Sequence, residues 1–91
     1  GLYVVFEYGV VTTAGTSGAI SCYISWNDGT SANLDDPSTN SLSLNSLGDY
    51  MFGVLPCYAA AGTNIGYEVT ATVPIAGTPE FSIYLALLRV L

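Results

Sequence analysis

Histidine and lysine are absent from this chain, and Arg89 is its only cation. Without histidine there is no imidazole base, which removes Ser-His-Asp and Cys-His mechanisms. One cation is too few to hold a phosphate backbone, because nucleic-acid affinity rests on several Lys or Arg contacts. No nucleic-acid partner is therefore expected. Seven acids against one arginine leave a net charge of -6, which anionic lipid repels. Long apolar runs are missing too. The longest is about seven or eight residues, whereas a helix crossing a bilayer takes about 20, so no membrane insertion is expected. No basic start leads into a short apolar core and cleavage site, the pattern of a secretory signal. With Gly rather than Met at position 1, the chain reads as a processed product, an excised domain or a stretch of a longer protein. Two cysteines without histidine fall short of a four-ligand zinc set, and no cofactor is expected.

The residues that are present are mostly apolar. Of 91 residues, 51% are hydrophobic and only 9% are charged, against about 25% charged in an ordinary soluble domain. A single small core cannot hide that much apolar surface, and large exposed apolar patches mark interaction sites. Copies of the chain are the expected cover. The alternative is a monomer with a weakly charged Ser/Thr-rich skin. Scarce charge, two cysteines and loops rich in Ser, Thr and Gly suit an extracellular protein, on a cell-surface appendage or a virion.

Alternation with period two runs through the sequence and predicts strands. Leu2, Val4, Phe6, Tyr8 and Val10 alternate with Tyr3, Val5, Glu7 and Gly9, so both faces of a first strand are largely apolar and covered. Residues 12–18 read as a loop. Ile20, Cys22, Ile24 and Trp26 give a second strand, which Asn27-Asp28-Gly29-Thr30 ends at a tight turn. A short strand follows at 31–34, a Pro37-containing loop at 35–40, and a strand at 41–45 with Leu42 and Leu44 inward. Residues 50–55 resume an apolar strand that Pro56 marks as edge or bent. Residues 65–73 alternate as the clearest half-exposed strand, 74–79 form a loop, and 81–91 close the domain. In this last strand Phe81, Ile83, Leu85 and Leu87 share a face, and the scarcity of polar positions predicts a central or interface-buried place. No helical period is present. About seven short strands and no internal repeat predict a single all-β domain over 1–91, a two-sheet antiparallel sandwich.

Few residues point to chemistry. Cys22 and Cys57 both fall on predicted strands, where they form one disulfide or stay as two buried thiols. Asp28, Asp35 and Asp36 supply oxygen ligands in one region, without the spacing of an EF-hand loop; turn formation accounts for them more simply. Glu7, Glu68 and Glu80 are the only glutamates, and nothing sets two of them across a cleft as glycoside hydrolysis needs. No enzyme is expected. Arg89 lies on an apolar strand and needs solvent or a carboxylate, with Glu7 and Glu68 as candidate partners. Trp26 and the seven tyrosines offer a platform for a surface glycan, although aromatics at strand spacing more often serve a core or an interface. No Asn-x-Ser/Thr sequon occurs.

Several segments together resemble a known architecture. Gly1-Leu2-Tyr3 opens a strand, Ile24-Ser25-Trp26-Asn27-Asp28-Gly29 ends one, Tyr58–Tyr67 carries a small-residue stretch into Gly62-Thr63-Asn64-Ile65-Gly66-Tyr67, and Phe81–Leu91 closes the chain. This order resembles the C-terminal β-sandwich head modules of phage tail-fibre-like and bacterial collagen-like surface proteins, similar to the C1q/TNF jelly roll. The resemblance implies a jelly roll, usually trimeric, at the tip of an extracellular fibre, with no catalytic residues. Such heads usually carry a strand before the Gly-Leu-Tyr strand. The sandwich here is therefore expected to lack one, leaving an apolar groove and an open edge. A second expectation follows, a pilus-like filament in which residues 1–11 are donated to the next subunit. The expected assembly surfaces are Leu2, Val4, Phe6, Tyr8 and Val10, with Phe81, Ile83, Leu85 and Leu87.

Overall fold

The computed structural model describes residues 1–91 as seven strands and no helix. They are β1 (Leu2–Thr13), β2 (Ser17–Asn27), β3 (Ala32–Asp35), β4 (Leu42–Ser43), β5 (Tyr50–Tyr58), β6 (Gly66–Ala76) and β7 (Glu80–Arg89). All pairings are antiparallel, and the strands form two sheets in a sandwich. The first sheet has the order β5-β1-β7. In the second, β2 pairs with β6 on one side and with β3 and β4 on the other.

Two predicted loops are shorter than expected. β1 runs to Thr13 and β2 begins at Ser17, so residues 12–18 are mostly strand. Likewise β6 continues through Pro74 to Ala76. Proline is tolerated there because β6 is an edge strand and its ladder with β2 shifts register opposite Ala19. Pro56 sits in β5, also an edge. At the β2–β3 turn Gly29 takes φ 96°, the left-handed conformation the Asp-Gly pair foretells.

The core lies between β1, β5 and the start of β7 on one side and β2 with β4 on the other. Val11, Ile20, Cys22, Leu42, Leu44 and Met51 form its larger cluster, with Phe81 and Ile83 packed against it. A smaller cluster joins Val5, Ile24 and Cys57, flanked by Tyr3, Trp26, Leu55 and Ile65. Leu42 and Leu44 point inward as their alternation predicts. The β3–β4 loop closes the sandwich over β5. Ser38 bridges Gly53, and the Pro37 carbonyl occupies the space a side chain at 53 would need.

Two strands depart from expectation, and for a third one of two alternatives is excluded. β1 is covered on one face only: Val5, Glu7, Gly9 and Val11 are buried, while Phe6 and Tyr8 are exposed. β7 is an edge strand, so of its two expected places the central one is excluded, and beyond Ile83 it is exposed on both faces of the single chain. β6 is exposed on both faces along its length apart from Gly66. The reason is common to both: β6 and β7 are consecutive in the chain but belong to different sheets and do not pair, so the sandwich is open between them.

Candidate functional site

The most distinctive surface is the outer face of the β5-β1-β7 sheet. Register places Val4, Phe6, Tyr8 and Val10 of β1 between Pro56, Val54, Phe52 and Tyr50 of β5 and Leu88, Ala86, Tyr84 and Ser82 of β7. No residue in this three-by-four block is charged. Phe52 is 65% exposed, Tyr84 62% and Tyr50 61%. The aromatics form a continuous row: Tyr8 stacks with Tyr50 at 6.1 Å, Tyr50 with Phe52 at 6.3 Å, and Tyr8 meets Tyr84 at 6.5 Å. Beside them is a shallow hollow of about 370 Å³ lined by Phe6, Tyr8, Phe52, Val54 and Tyr84. Alternation on β1 was enough to find the first members of this surface. Those on β5 were missed as site residues, because only register across two strands shows that they share the face.

The two predicted assembly sets do not form one surface. Leu2, Val4, Phe6, Tyr8 and Val10 lie on the outer face, whereas Phe81, Ile83, Leu85 and Leu87 lie on the inner one. Of the latter, Phe81 and Ile83 pack against the core, and Leu85 and Leu87 stand exposed at the open side.

The structure decides between the two cysteine alternatives and corrects two expectations about other single residues. Cys22 and Cys57 are free, buried thiols in separate clusters, so no disulfide joins them. Burial, with the Glu7 charge next, pushes the Cys22 thiol up to about 12, and burial alone raises Cys57. Arg89 does not pair with Glu7 or Glu68. Its guanidinium stands over the Tyr3 ring at 5.9 Å, a cation–π contact. Glu68 instead accepts a hydrogen bond from Thr70 at 3.3 Å in the other sheet. Trp26 is half-buried against the smaller core cluster, which removes it as an open glycan platform.

Glu7 is the least expected feature. It is 3% exposed, and neither carboxylate oxygen has a hydrogen-bond partner. It faces inward because it shares the odd-numbered face of β1 with Val5 and Val11, and the β3–β4 loop covers it through Gly53, its register partner. Burial, with the Asp36 charge adding to it, pushes its carboxyl up to about 7; the Cys22 thiol opposes the rise. Asp28 is the opposite case. It accepts hydrogen bonds from the Thr30 and Ser31 backbone at 2.8 Å each, from the Thr30 hydroxyl at 2.7 Å and from Asn33 at 3.3 Å. These donors hold its carboxyl well below the usual range and make it the closure of a turn. No three His, Cys, Asp or Glu side chains converge as a metal site would require.

No family model, curated protein or solved structure matches the chain.

Proposed function

We propose that this chain is a non-enzymatic structural subunit of an extracellular or virion-borne fibre, and that it self-assembles by burying the outer face of β5-β1-β7 against copies of itself. The observation that carries this reading is the uncharged aromatic and aliphatic surface of that sheet, with Phe52, Tyr50 and Tyr84 more than half exposed. Burying such a surface is worth roughly 25 cal/mol per Å², and aromatic rings are favoured at interface centres. Location rests on composition and on the resemblance to fibre heads, since the free thiols lend no support to an oxidising compartment. The form we favour is the trimeric jelly-roll head module, with three outer faces meeting around an axis. The strand-donating filament has less support. β1 is the central strand of its own sheet, and releasing it would break its ladders with both β5 and β7.

One observation favours a second reading, a carbohydrate-binding module. The exposed row of Tyr8, Tyr50, Phe52 and Tyr84 is a surface on which sugar rings stack. Its weakness is the lack of carboxylates or amides on that face to hold sugar hydroxyls.

Negative-stain electron microscopy with light scattering separates these readings. Discrete particles at three times the 9.5 kDa chain mass, or at a multiple of that trimer mass, are expected. Long fibres with an axial repeat would replace the trimer with the filament. A monomer at micromolar concentration would defeat both and send the aromatic row to glycan-binding assays.

A further inference from the structure

The open side of the sandwich is a second surface, separate from the outer face. β6 and β7 both run along it with unpaired edges, and their inner faces leave an apolar cleft between the sheets. One part of the cleft, about 420 Å³, is lined by Tyr67, Val69, Phe81, Ile83 and Leu85. Tyr67 is 65% exposed and Leu87 54%, although both belong to inward faces by register with Ile24 and Val5 of the core.

The opposite edges are guarded. On the β3 side, Asp28, Asp35, Asp36 and Pro37 line the turn and the loop, and β5 carries Pro56 and the Ser38 bridge. Proteins blunt sheet edges with such charges, prolines and bridging loops, because an unguarded edge is a template for another strand. On the open side β6 carries Glu68 and Pro74, but β7 has no proline and no charge between Glu80 and Arg89, so β7 is the less guarded of the two edges. Those two end charges are of opposite sign. An antiparallel neighbour with the same sequence sets each Glu80 end beside the Arg89 end of the second copy, whereas a parallel one brings like charges together.

We infer that the open β6/β7 side is a docking surface for a second copy of this chain, which joins edge to edge and antiparallel so that both sheets continue across a twofold axis. A second copy fits because it offers two unpaired edges at the spacing of the two it meets, where a single added strand satisfies only one. The size fits as well. β6 and β7, of 11 and 10 residues, run about 35 Å along a molecule about 20 Å thick, on the order of 700 Å² and close to the roughly 800 Å² a standard interface buries per partner. The inference rests on the self-assembly reading but uses a different surface from the outer face.

Light scattering and native mass spectrometry would be run on the full chain and three sets of variants. In the first, Val69→Lys with Leu87→Lys places charge on cleft positions that are already exposed. In the second, Phe52→Glu marks the outer face. In the third, Arg89→Glu is compared with the exchange Glu80→Arg plus Arg89→Glu. The expected results are assemblies built from pairs, loss of the pair in the Lys variant, and pairs retained in Phe52→Glu. Arg89→Glu should weaken pairing about tenfold, and the exchange should restore it. Association lost only in Phe52→Glu would overturn the edge inference while leaving outer-face assembly standing. A monomeric wild type would overturn both. Protection of β6 and β7 amides from hydrogen exchange that arises only on adding a different polypeptide would assign this side to a foreign strand and overturn the second copy.

Discussion

Glu7 places a buried acid, whose oxygens lack a hydrogen-bond partner, between the Cys22 thiol and a covering loop. A carboxyl in that position keeps its proton to about pH 7, against about 4.3 in an unfolded chain. The folded state therefore binds the proton more tightly than the unfolded state does. The stability this provides is complete below about pH 4.3 and is lost as pH rises through about 7. The expected loss between pH 4.5 and 8 is about 1–3 kcal/mol. Glu7→Gln should flatten this profile and be the more stable form at pH 8, as read from denaturation midpoints across pH. The groups facing Glu7 are Cys22 on β2 and Asp36 on the β3–β4 loop. Cys22 titrates far above this window. An unchanged pH slope in Glu7→Gln would show that Glu7 is solvated. The sequence placed Glu7 on the face shared by Tyr3, Val5 and Gly9 but could not mark that face as the buried one. Both faces of β1 are apolar, so alternation alone does not choose between them.

At the level of elements, the strands were legible because they alternate and are bounded by turn residues. Asn27-Asp28-Gly29-Thr30 turned as read, and Leu42 and Leu44 went inward. Strand ends were less legible near Pro74, where an irregular ladder admits a residue that ordinarily stops one. Edge or centre was not legible at all for β7. An apolar strand looks the same whether sheet partners or open space lie beside it. The β3–β4 loop shows a local consequence of packing that pattern reading misses. Pro37 rests on Gly53, so Gly53→Ala drives a methyl into a carbonyl with no flexible atom to yield. The loop must lift, and a loss of about 2–3 kcal/mol is expected, measured by urea denaturation. Gly48→Ala provides the contrast. Its Cβ meets nothing within 4 Å, and the cost comes only from φ 85°, about 1 kcal/mol. Equal losses at the two sites would mean that the loop does not pack on β5.

Taken whole, the molecule is a rod of 43 × 20 × 19 Å with a radius of gyration of 14.4 Å, larger than the roughly 12 Å of a compact domain this long. Only 15 of its 91 residues are buried, which is why its surface asks for company. Charge opposes that company, since each copy carries -6 and like-charged bodies repel until salt screens them. Association should therefore strengthen as ionic strength rises from about 0.01 to 0.15 M, where the screening length falls from about 30 to 8 Å. Light scattering across that range checks it, and a mass that falls with salt would point to ion pairs rather than apolar faces as the main adhesive.

The pairing of β1 with β7 also sets a schedule for biosynthesis. Val5 lies against Leu87, so a ribosome working at about 5–20 residues per second emits β1 roughly 4–16 s before its far partner. For that interval a 12-residue apolar strand has β5 on one side at most and nothing on the other. Nascent chains on one polysome are neighbours during the same interval. The order of emergence thus decides whether β1 meets its own β7 or a sister chain's, and slow translation between β5 and β7 would favour the tangle over the fold.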